Sequence, residues 1–385
     1  MRVLRLGVVA LGVGGSVLGA QNRSPVTQDP SPITIDFDAA IDLALKQNMT
    51  IKLAQNASDL SAASVTQAKM NFLPDLRLNV NNGLDVGRNF SQTEGRIVEQ
   101  TSNSMSTGVS TGVTLFDGFR NVANLNSAKA AESASEQDLA RARQTVVFTV
   151  ASNFLALVAQ QEQLRVQQEN LKAQELQQEQ IETYVKVGSR PISDLYQQQA
   201  ATAAAKVSVV EAQRALDLAK VDLIQTLQLD PASEYTFVAP KVDDAAAANR
   251  SFDLAALVDK ALTNRSDLEA QALRVGAGDE GVRRAEASKW PSISLSAGYN
   301  TAYNSATDAP LADQLNERRG GSIGIGVSIP LFDRGATSVA AQRAQIQEEN
   351  ARLELQKQRQ QVSYDIRRAY LDYKAAQERL KAADA

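Results

Sequence analysis

The sequence contains no cysteine and no histidine among its 385 residues. Without cysteine the chain can form no disulfide, no thiolate site and no lipid anchor on an N-terminal cysteine. Without histidine it lacks the usual general base and the commonest transition-metal ligand. The acidic residues occur singly along predicted helices, so nothing supports a hydrolase with a carboxylate pair. We therefore expect no enzyme activity, no cofactor and no metal. The net charge of −4 likewise gives no indication of a nucleic-acid partner.

The mature sequence also lacks a continuous apolar run of the roughly 20 residues that a spanning helix needs. A shorter apolar stretch over 6–18 follows Arg2 and Arg5 and ends just before Ala20. This pattern predicts a Sec-type secretory signal over 1–20 that is cleaved near Ala20. We expect an exported protein without a transmembrane helix and, since it has no cysteine, without lipidation.

The chain contains two copies of one pattern, offset by 217 residues. The identical pairs are Asp42 and Asp259, Ala44 and Ala261, Leu45 and Leu262, Val65 and Val282, Ala68 and Ala285, and Pro74 and Pro291. Further along, Leu115-Phe116-Asp117 matches Leu331-Phe332-Asp333 at an offset of 216. We therefore predict two structural repeats, over 21–251 and 252–385.

Each repeat predicts the same order of elements. An amphipathic helix, over 36–71 or 252–288, ends before a proline. Two strands follow, and then a long helix begins near Phe119 or Ala336. The first repeat alone contains a complete returning helix.

Four segments alternate apolar residues with Ser, Gly, Thr or Asn, which is typical of β-strands with one apolar face. These segments are 75–86, 105–115, 292–300 and 322–331. The side chains that we expect to face lipid are Leu76, Leu78, Val80, Val109, Val113, Ile293, Leu295, Tyr299, Ile323, Ile325, Val327 and Ile329. For any single strand, a soluble sandwich with one solvated face explains the alternation equally well.

The small neutral residues of the second face and the polar connections over 87–104 and 304–319 favour strands of a transmembrane barrel. A soluble sheet would usually carry Lys and Glu on its solvated face. Four strands cannot close a barrel, and an open edge in lipid leaves backbone groups unpaired at several kcal/mol each. If these strands lie in a membrane, the barrel must therefore be shared between chains.

The segment from Phe119 to about Val187 contains no proline and predicts a helix of roughly 100 Å. Apolar residues recur in it every seven positions, as in a coiled coil, at Val150, Leu157, Leu164 and Leu171. An alanine-rich helix over 191–229 returns, which predicts a helical hairpin with a tight tip at 188–194. A tunnel wall that is wet on both sides and an ordinary exposed coiled coil would both produce this pattern.

Several short motifs occur in a fixed order along the chain. They are Phe72-Leu73-Pro74-Asp75-Leu76, Leu115-Phe116-Asp117-Gly118, Val187-Gly188, Ser193-Asp194-Leu195, Pro291-Ser292-Ile293-Ser294-Leu295 and Ile329-Pro330-Leu331-Phe332-Asp333-Arg334-Gly335. By the order and duplication of these motifs, nearly all of the mature chain resembles the TolC-like outer-membrane efflux family.

The resemblance implies a mainly α fold with a β-barrel segment. Long antiparallel helical hairpins would form an α-barrel, and four strands per chain would contribute to a shared 12-stranded trimeric β-barrel. It also implies a passive homotrimeric exit duct through the outer-membrane lipid and the periplasm, in efflux or type I secretion. The partners would be a periplasmic adaptor (membrane fusion protein) and an inner-membrane pump.

The resemblance also assigns roles to the hairpin tip. It implies that the adaptor contacts Gly188, Ser189, Arg190, Pro191, Ser193, Asp194 and Leu195. Gln177 and Asp194 would help to hold the aperture shut. Alternatively, Asp194 is simply an acidic residue in a first helical turn, where the helix dipole favours it.

One departure from the family pattern concerns the second repeat. Relatives have a complete second hairpin, whereas here the second long helix reaches Ala385 about fifty residues after Asp333. We expect a fragment or a truncated product whose 385 residues alone do not seal a tunnel. The competing hypothesis is a periplasmic coiled-coil structural or adaptor protein with a soluble sheet and no channel.

Overall fold

The structure is a computed structural model that describes residues 33–91, 95–240 and 250–384. The predicted signal segment and its cleavage point near Ala20 lie outside the described residues. Within them, long helices form one part of the molecule and a four-stranded antiparallel sheet forms another.

The first repeat consists of two short helices, a β-hairpin and a long helical hairpin. Its elements are β1 (Ile33–Ile35), α1 (Phe37–Gln47), α2 (Met49–Met70), β2 (Arg77–Ser91), β3 (Arg96–Phe116), α3 (Arg120–Lys186), α4 (Ile192–Leu227) and β4 (Tyr235–Phe237). The prediction of one helix over 36–71 is wrong, because the backbone is extended at Asn48. The Asn48 side chain accepts a hydrogen bond from the Thr50 N–H at 2.8 Å and so caps α2.

The second repeat follows the same order as far as its long helix. Its elements are α5 (Leu254–Asn264), α6 (Ser266–Glu286), a 3₁₀ turn (Ala287–Lys289), β5 (Ser292–Asn304), α7 (Leu311–Glu317), β6 (Gly320–Ser328) and α8 (Ala336–Asp384). The helix predicted over 252–288 also breaks, at Arg265, which is the repeat equivalent of Asn48. The start of α8 agrees with the predicted start near Ala336.

The sheet has the order β2-β3-β5-β6, and every neighbouring pair is antiparallel. Neighbouring strands are strongly staggered. We call residues that lie directly opposite one another in neighbouring strands a row. In the described residues, the rows that extend across all four strands are those that contain Arg77, Leu78 and Asn79. Such a stagger tilts the strands relative to the sheet axis, as the wall of a barrel requires.

The predicted strand ends need one clear correction. Residues 87–104 are not a long loop, because β2 and β3 pair continuously from Arg77 with Ser110 to Ser91 with Arg96. The ladder satisfies the backbone groups of this stretch, so its polar side chains do not break the strands. The connection 304–319 is indeed longer, and it contains α7.

The helical hairpin packs along a seam that we define by its buried residues. On α4 these residues are Gln198, Thr202, Ala205, Ala212, Leu216, Leu223 and Leu227. On α3 the predicted positions Val150, Leu157 and Leu164 are buried, and Leu171 is half-buried. The α3 helix has 67 residues, which corresponds to about 100 Å, and this prediction is confirmed.

The main core lies where α1, β1 and β4 meet this hairpin. Phe154 is fully buried, and its ring makes edge-to-face contacts with Phe37 at 5.4 Å and with Phe237 at 6.1 Å. Within the described residues, α3 is the one helix long and apolar enough to span a membrane by length and composition alone. Val150, Phe154 and Leu157 of this helix are buried in the core, whereas its Phe148 and Leu155 are exposed.

Both repeats turn from strand to long helix in the same way. Each turn contains two successive residues with left-handed backbone, Gly118 with Phe119 and Arg334 with Gly335. An aspartate precedes each pair and accepts a hydrogen bond from the new helix. Asp117 accepts from the Asn121 N–H at 3.0 Å, and Asp333 accepts from the Thr337 N–H at 2.8 Å. Hydrogen bonds from the Thr337 side chain and backbone lower the pKa of Asp333.

Candidate membrane strands and hairpin tip

The strand register places the predicted lipid-facing residues on one face of the sheet. Residues directly opposite each other in neighbouring strands point to the same side. Leu78 lies opposite Val109 and Tyr299 continues that row, while Val113, Leu295 and Ile325 form another. Ile293 lies opposite Val327, and Val80 and Ile323 occupy the same face by alternation. Leu76 and Ile329 fall just outside the ends of β2 and β6.

The second face of the sheet carries small or polar side chains. One row contains Asn79, Gly108, Asn300 and Gly320, and another contains Thr114, Ser294 and Gly326. A Cβ atom at Gly108 would lie 3.0 Å from the Asn300 Cβ, so the glycine allows a close approach of β3 and β5. The two faces therefore differ sharply in polarity, as in barrel strands with one face in lipid and one in water.

The start of β2 is fastened to β3 by Asp75. Its backbone N–H donates to the Gly112 carbonyl at 3.1 Å, and its Oδ1 accepts from the Gly112 N–H at 2.8 Å. The second carboxylate oxygen lies 2.5 Å from Arg77 Nη2. The aspartate that follows Pro74 thus sets where the strand pairing begins.

The hairpin tip is a tight turn between α3 and α4. Gly188 has a φ of +75°, which favours glycine. The Ser189 N–H and Oγ both donate to the Tyr184 carbonyl at 2.9 Å. Gly188, Ser189, Arg190, Pro191 and Ser193 are exposed, whereas Asp194 and Leu195 are half-buried.

Asp194 lies in the first turn of α4, close to two other residues of the tip. Arg190 Nη1 approaches its carboxylate at 3.9 Å, and Ser193 Oγ donates to it at 3.5 Å. Gln177 lies apart from this group, exposed on α3 about ten residues, or roughly 15 Å, before the turn. The structure therefore brings residues 188–195 together and leaves Gln177 at a distance within one chain.

A buried polar layer crosses the hairpin closer to the tip than the main core. Gln198 Nε2 donates to Gln174 Oε1 at 2.8 Å and to the Gln174 carbonyl at 3.2 Å. Thr202 Oγ1 donates to the same carbonyl at 3.4 Å. Gln174 thus links the two arms of this hairpin.

A charged cluster joins the two repeats near the start of α6. The Asp267 carboxylate lies 2.5 Å from Arg265 Nη2 and 3.6 Å from Arg141 Nε. Burial of the Asp267 carboxyl raises its pKa. A larger opposite effect comes from the hydrogen bond and charge of Arg265, the charge of Arg141 and the hydrogen bond from the Leu268 N–H. The pKa of Asp267 is therefore lowered overall. Arg274 and Asp138 form a second ion pair between α6 and α3.

Comparison with known proteins decides the family. The family model for outer membrane efflux proteins matches residues 40–227 and 257–385, most of the chain. The chain belongs to the outer membrane efflux protein family. Members of this family are outer-membrane channels and not enzymes, so the predicted family and broad location are confirmed.

Individual members of the efflux protein family are distant in sequence. Outer membrane efflux protein BepC of Brucella suis biovar 1 is 23% identical over 274 residues, which are 70% of this chain and 56% of BepC. Outer membrane protein TolC of Vibrio cholerae is 23% identical over 312 residues, which are 80% of this chain and 68% of TolC. The chain therefore spans little more than half the length of one of these relatives.

The fold of an efflux protein is also found in solved structures. The outer membrane protein VceC from Vibrio cholerae superposes with a TM-score of 0.74 at 18% identity, covering 90% of this chain and 81% of VceC. The predicted fold class, mainly α with an antiparallel sheet of barrel type, is confirmed.

Sequence reasoning missed part of the apolar face of this efflux protein. Leu84 and Val86 lie within the predicted strand 75–86 but were not among the side chains expected to face lipid, and Phe90 and Ile97 lie beyond the predicted strand ends. All four are exposed on β2 and β3. The first three continue the alternation of Leu78 and Val80, and Ile97 lies opposite Phe90. The signal was therefore present in the sequence, but the intervening Asn, Asp and Arg residues made the stretch look like a loop.

Proposed function

We propose that this chain is one subunit of a homotrimeric, passive exit duct that crosses the outer membrane and extends into the periplasm. One observation carries the proposal: the four-stranded sheet has an apolar face, two open edges, and long helices attached to its base. An exposed apolar face of this extent is costly in water. An open edge is costly in lipid, because its N–H and C=O groups find no partner there.

Sharing the barrel between copies removes both costs. The edge strands β2 and β6 run in opposite directions, since all neighbouring strands in the order β2-β3-β5-β6 are antiparallel. The β6 edge of one copy can therefore pair with the β2 edge of the next in the antiparallel sense. Three copies supply twelve strands, the number that the family resemblance implies. Leu76, Ile329 and the apolar rows between them would then face lipid.

The duct would work in a tripartite efflux or type I secretion system, with an inner-membrane pump and a periplasmic adaptor. The exposed tip around Gly188 and Arg190 is the surface that we assign to the adaptor. Asp194, and more distantly Gln177, would link hairpins and narrow the aperture. Secretion by the predicted signal, with no lipid attached, would deliver the chain to the outer membrane.

Membrane fractionation tests the channel proposal against the soluble alternative. We expect the protein in the detergent-solubilised outer membrane, as a trimer that resists dodecyl sulfate until it is heated. Recovery as a soluble periplasmic protein would instead support the coiled-coil structural or adaptor hypothesis.

The substitution Asp194→Ala tests the role of the tip. We expect a higher single-channel conductance or a weaker affinity for the adaptor, because the carboxylate no longer restrains the tip. Asp217→Ala, an exposed acidic residue in the middle of α4, is the matched control. If both quantities stay at their wild-type values, Asp194 serves only the first turn of its helix.

A further inference from the structure

The connection between β5 and β6 contains a short helix, α7, that takes the place of a strand beside the end of β5. Gln314 in the middle of α7 is only 1% exposed. Its Oε1 accepts from the Asn304 N–H at 3.0 Å, and its Nε2 donates to the Asn304 carbonyl at 3.1 Å. The side-chain amide thus pairs with the backbone of Asn304 as a neighbouring strand would. The strand β6 itself extends along β5 only as far as Gly320, which lies opposite Asn300.

The helix α7 lies toward the apolar face of the sheet. Thr301 Oγ1 donates to the Leu315 carbonyl at 2.7 Å, and Thr301 shares the face of Tyr299 by alternation along β5. Gln314 Nε2 also donates to the Ala309 carbonyl at 2.7 Å, which holds the helix against its own connection. The helix therefore continues the edge of the sheet beyond β6, on the side that carries the apolar rows.

The other edge strand, β2, is longer than β6. The strand β2 has 15 residues and β6 has nine. If β6 of one copy pairs with β2 of the next, Val327 opposite Leu78 keeps the apolar residues on one face and sets the first residue of β2 level with the last residue of β6. Gly320 is then opposite Asp85, and residues 86–91 of β2 extend beyond β6.

We propose that α7 of one copy covers this projecting edge of β2 in the next copy and joins the two copies at the end of the barrel away from the long helices. The inference rests on the proposed ring of identical subunits and adds a contact beyond the strand pairing itself. The helix would fill the space beyond β6 on both sides, against Asn304 of its own chain and against residues 86–91 of the next.

The two surfaces are complementary in charge. Counting on from Gly320 in the same register places Glu317 level with Arg88. The exposed side chains of α7 include two carboxylates, Asp313 and Glu317, and the helix contains no basic residue. Arg88 is exposed and lies on the same face of β2 as Val86 by alternation, which is the face toward which α7 lies.

The other charges nearby are compatible with this contact. Glu99 lies opposite Arg88 on β3, which is the side of β2 away from the next copy. Arg318 Nη2 donates to Thr307 Oγ1 at 3.0 Å within its own connection. Arg319 is the nearest like charge to Arg88, and the two carboxylates of α7 outnumber it. In the ring, Arg88 would therefore have a carboxylate of its own chain on one side and carboxylates of the next chain on the other.

Such a contact would fix the register between copies. Strand pairing alone specifies the register weakly, because a shift of two residues keeps every apolar side chain on the same face. The same shift would move Glu317 and Arg88 apart by roughly 7 Å, beyond the reach of a direct ion pair. The contact between α7 and β2 would thus favour one register among those that the apolar face permits.

Cysteine pairs test the arrangement directly, because the chain contains no native cysteine. With a short bifunctional thiol reagent, Glu317→Cys with Arg88→Cys should give covalent dimers and trimers on a denaturing gel. Thr307→Cys with Arg318→Cys is the matched control, because the native side chains lie 3.0 Å apart in one chain. This control should link internally and remain monomeric in mass.

Two failures can be told apart. If the wild-type protein forms a heat-sensitive trimer but the Glu317→Cys and Arg88→Cys variant stays monomeric in mass, the contact between α7 and β2 is wrong and the duct proposal stands. If the wild-type protein forms no oligomer, the duct proposal itself fails, and the contact fails with it.

Charge reversal tests the proposed ion pair. Glu317→Arg should raise the dissociation constant of the wild-type trimer by about threefold, but it should lower that of the Arg88→Glu variant, where it restores an opposite charge. Asp308→Arg makes the same charge change in the same connection, at an exposed position outside α7, and should have no effect in either background. A Glu317→Arg effect that is absent, or that has the same sign in both backgrounds, would overturn the proposal.

Discussion

Gln198 occupies a position in the hairpin seam that an apolar residue would normally fill. It stands seven residues before Ala205, which stands seven residues before Ala212, and all three are buried. Its side-chain amide donates hydrogen bonds to Gln174 across the seam. We predict that Gln198→Leu stabilises the part of the hairpin next to the tip.

The magnitude follows from two opposing terms. Full burial of a leucine side chain contributes about 1.5–3 kcal/mol. Loss of the hydrogen bonds to Gln174 costs about 0.5–1.5 kcal/mol. Gln174 is half-buried, so its released oxygen can bond to water and adds little penalty. The net gain is about 1 kcal/mol, which corresponds to a roughly fivefold increase in protection from amide exchange.

Hydrogen exchange measured by mass spectrometry on the detergent-solubilised protein can detect this change in peptides that cover 192–205. Gln199→Leu is the matched control, because Gln199 is adjacent and exposed. We expect slower exchange in the Gln198 variant alone. Equal or faster exchange would show that the polar layer stabilises the hairpin more than an apolar residue could, and the reasoning above would be refuted.

Three further substitutions address the core, a turn and the charged cluster. Phe154→Ala should lower the free energy of unfolding by about 3–5 kcal/mol, measured by urea-dependent loss of helical circular dichroism; a loss under 1 kcal/mol would contradict the packing described. Gly118→Ala should reduce the yield of folded protein, because the new Cβ would lie 2.7 Å from the Trp290 Cβ in a left-handed backbone. Asp267, whose folded pKa is lowered, contributes stability above about pH 4 that is lost as the pH falls further. Asp267→Asn should therefore flatten the stability profile below pH 4, and an unchanged acid slope would exclude this role.

The strand faces could be predicted from the sequence, while the strand ends could not. Alternation over Leu78, Val80, Leu295 and Ile325 depends only on the two-residue period of a strand, which no tertiary contact alters. The ends of β2 and β3 depend on pairing between the two strands. Asn and Arg residues that would favour a loop in isolation become strand residues once their backbone groups are paired.

The long helices could be predicted equally well, but not their breaks or partners. Absence of proline and a seven-residue period over Val150, Leu157 and Leu164 are local properties. The break at Asn48 depends on a cap and on contacts 178 residues away, where the Asn48 amide donates to the Thr226 carbonyl at 3.1 Å. No local pattern reports such a contact. For the same reason the sequence did not single out Gln174, whose contacts lie 24 residues away on α4.

The two helix breaks have the same backbone conformation, but their side chains make different contacts. This difference indicates which contacts fix the position of the first hairpin. At Asn48 the helix break bonds to the end of α4, and Gln47 adds a bond to the Leu227 carbonyl at 2.6 Å. At the equivalent break, Arg265 pairs with Asp267 of its own helix. The first hairpin is therefore anchored at the end near Phe154, where the core also lies, while the contacts that the structure describes at its tip are the short ones within residues 184–194. With the anchor at one end and the Gln198 layer near the other, any opening of the hairpin should begin between that layer and Gly188.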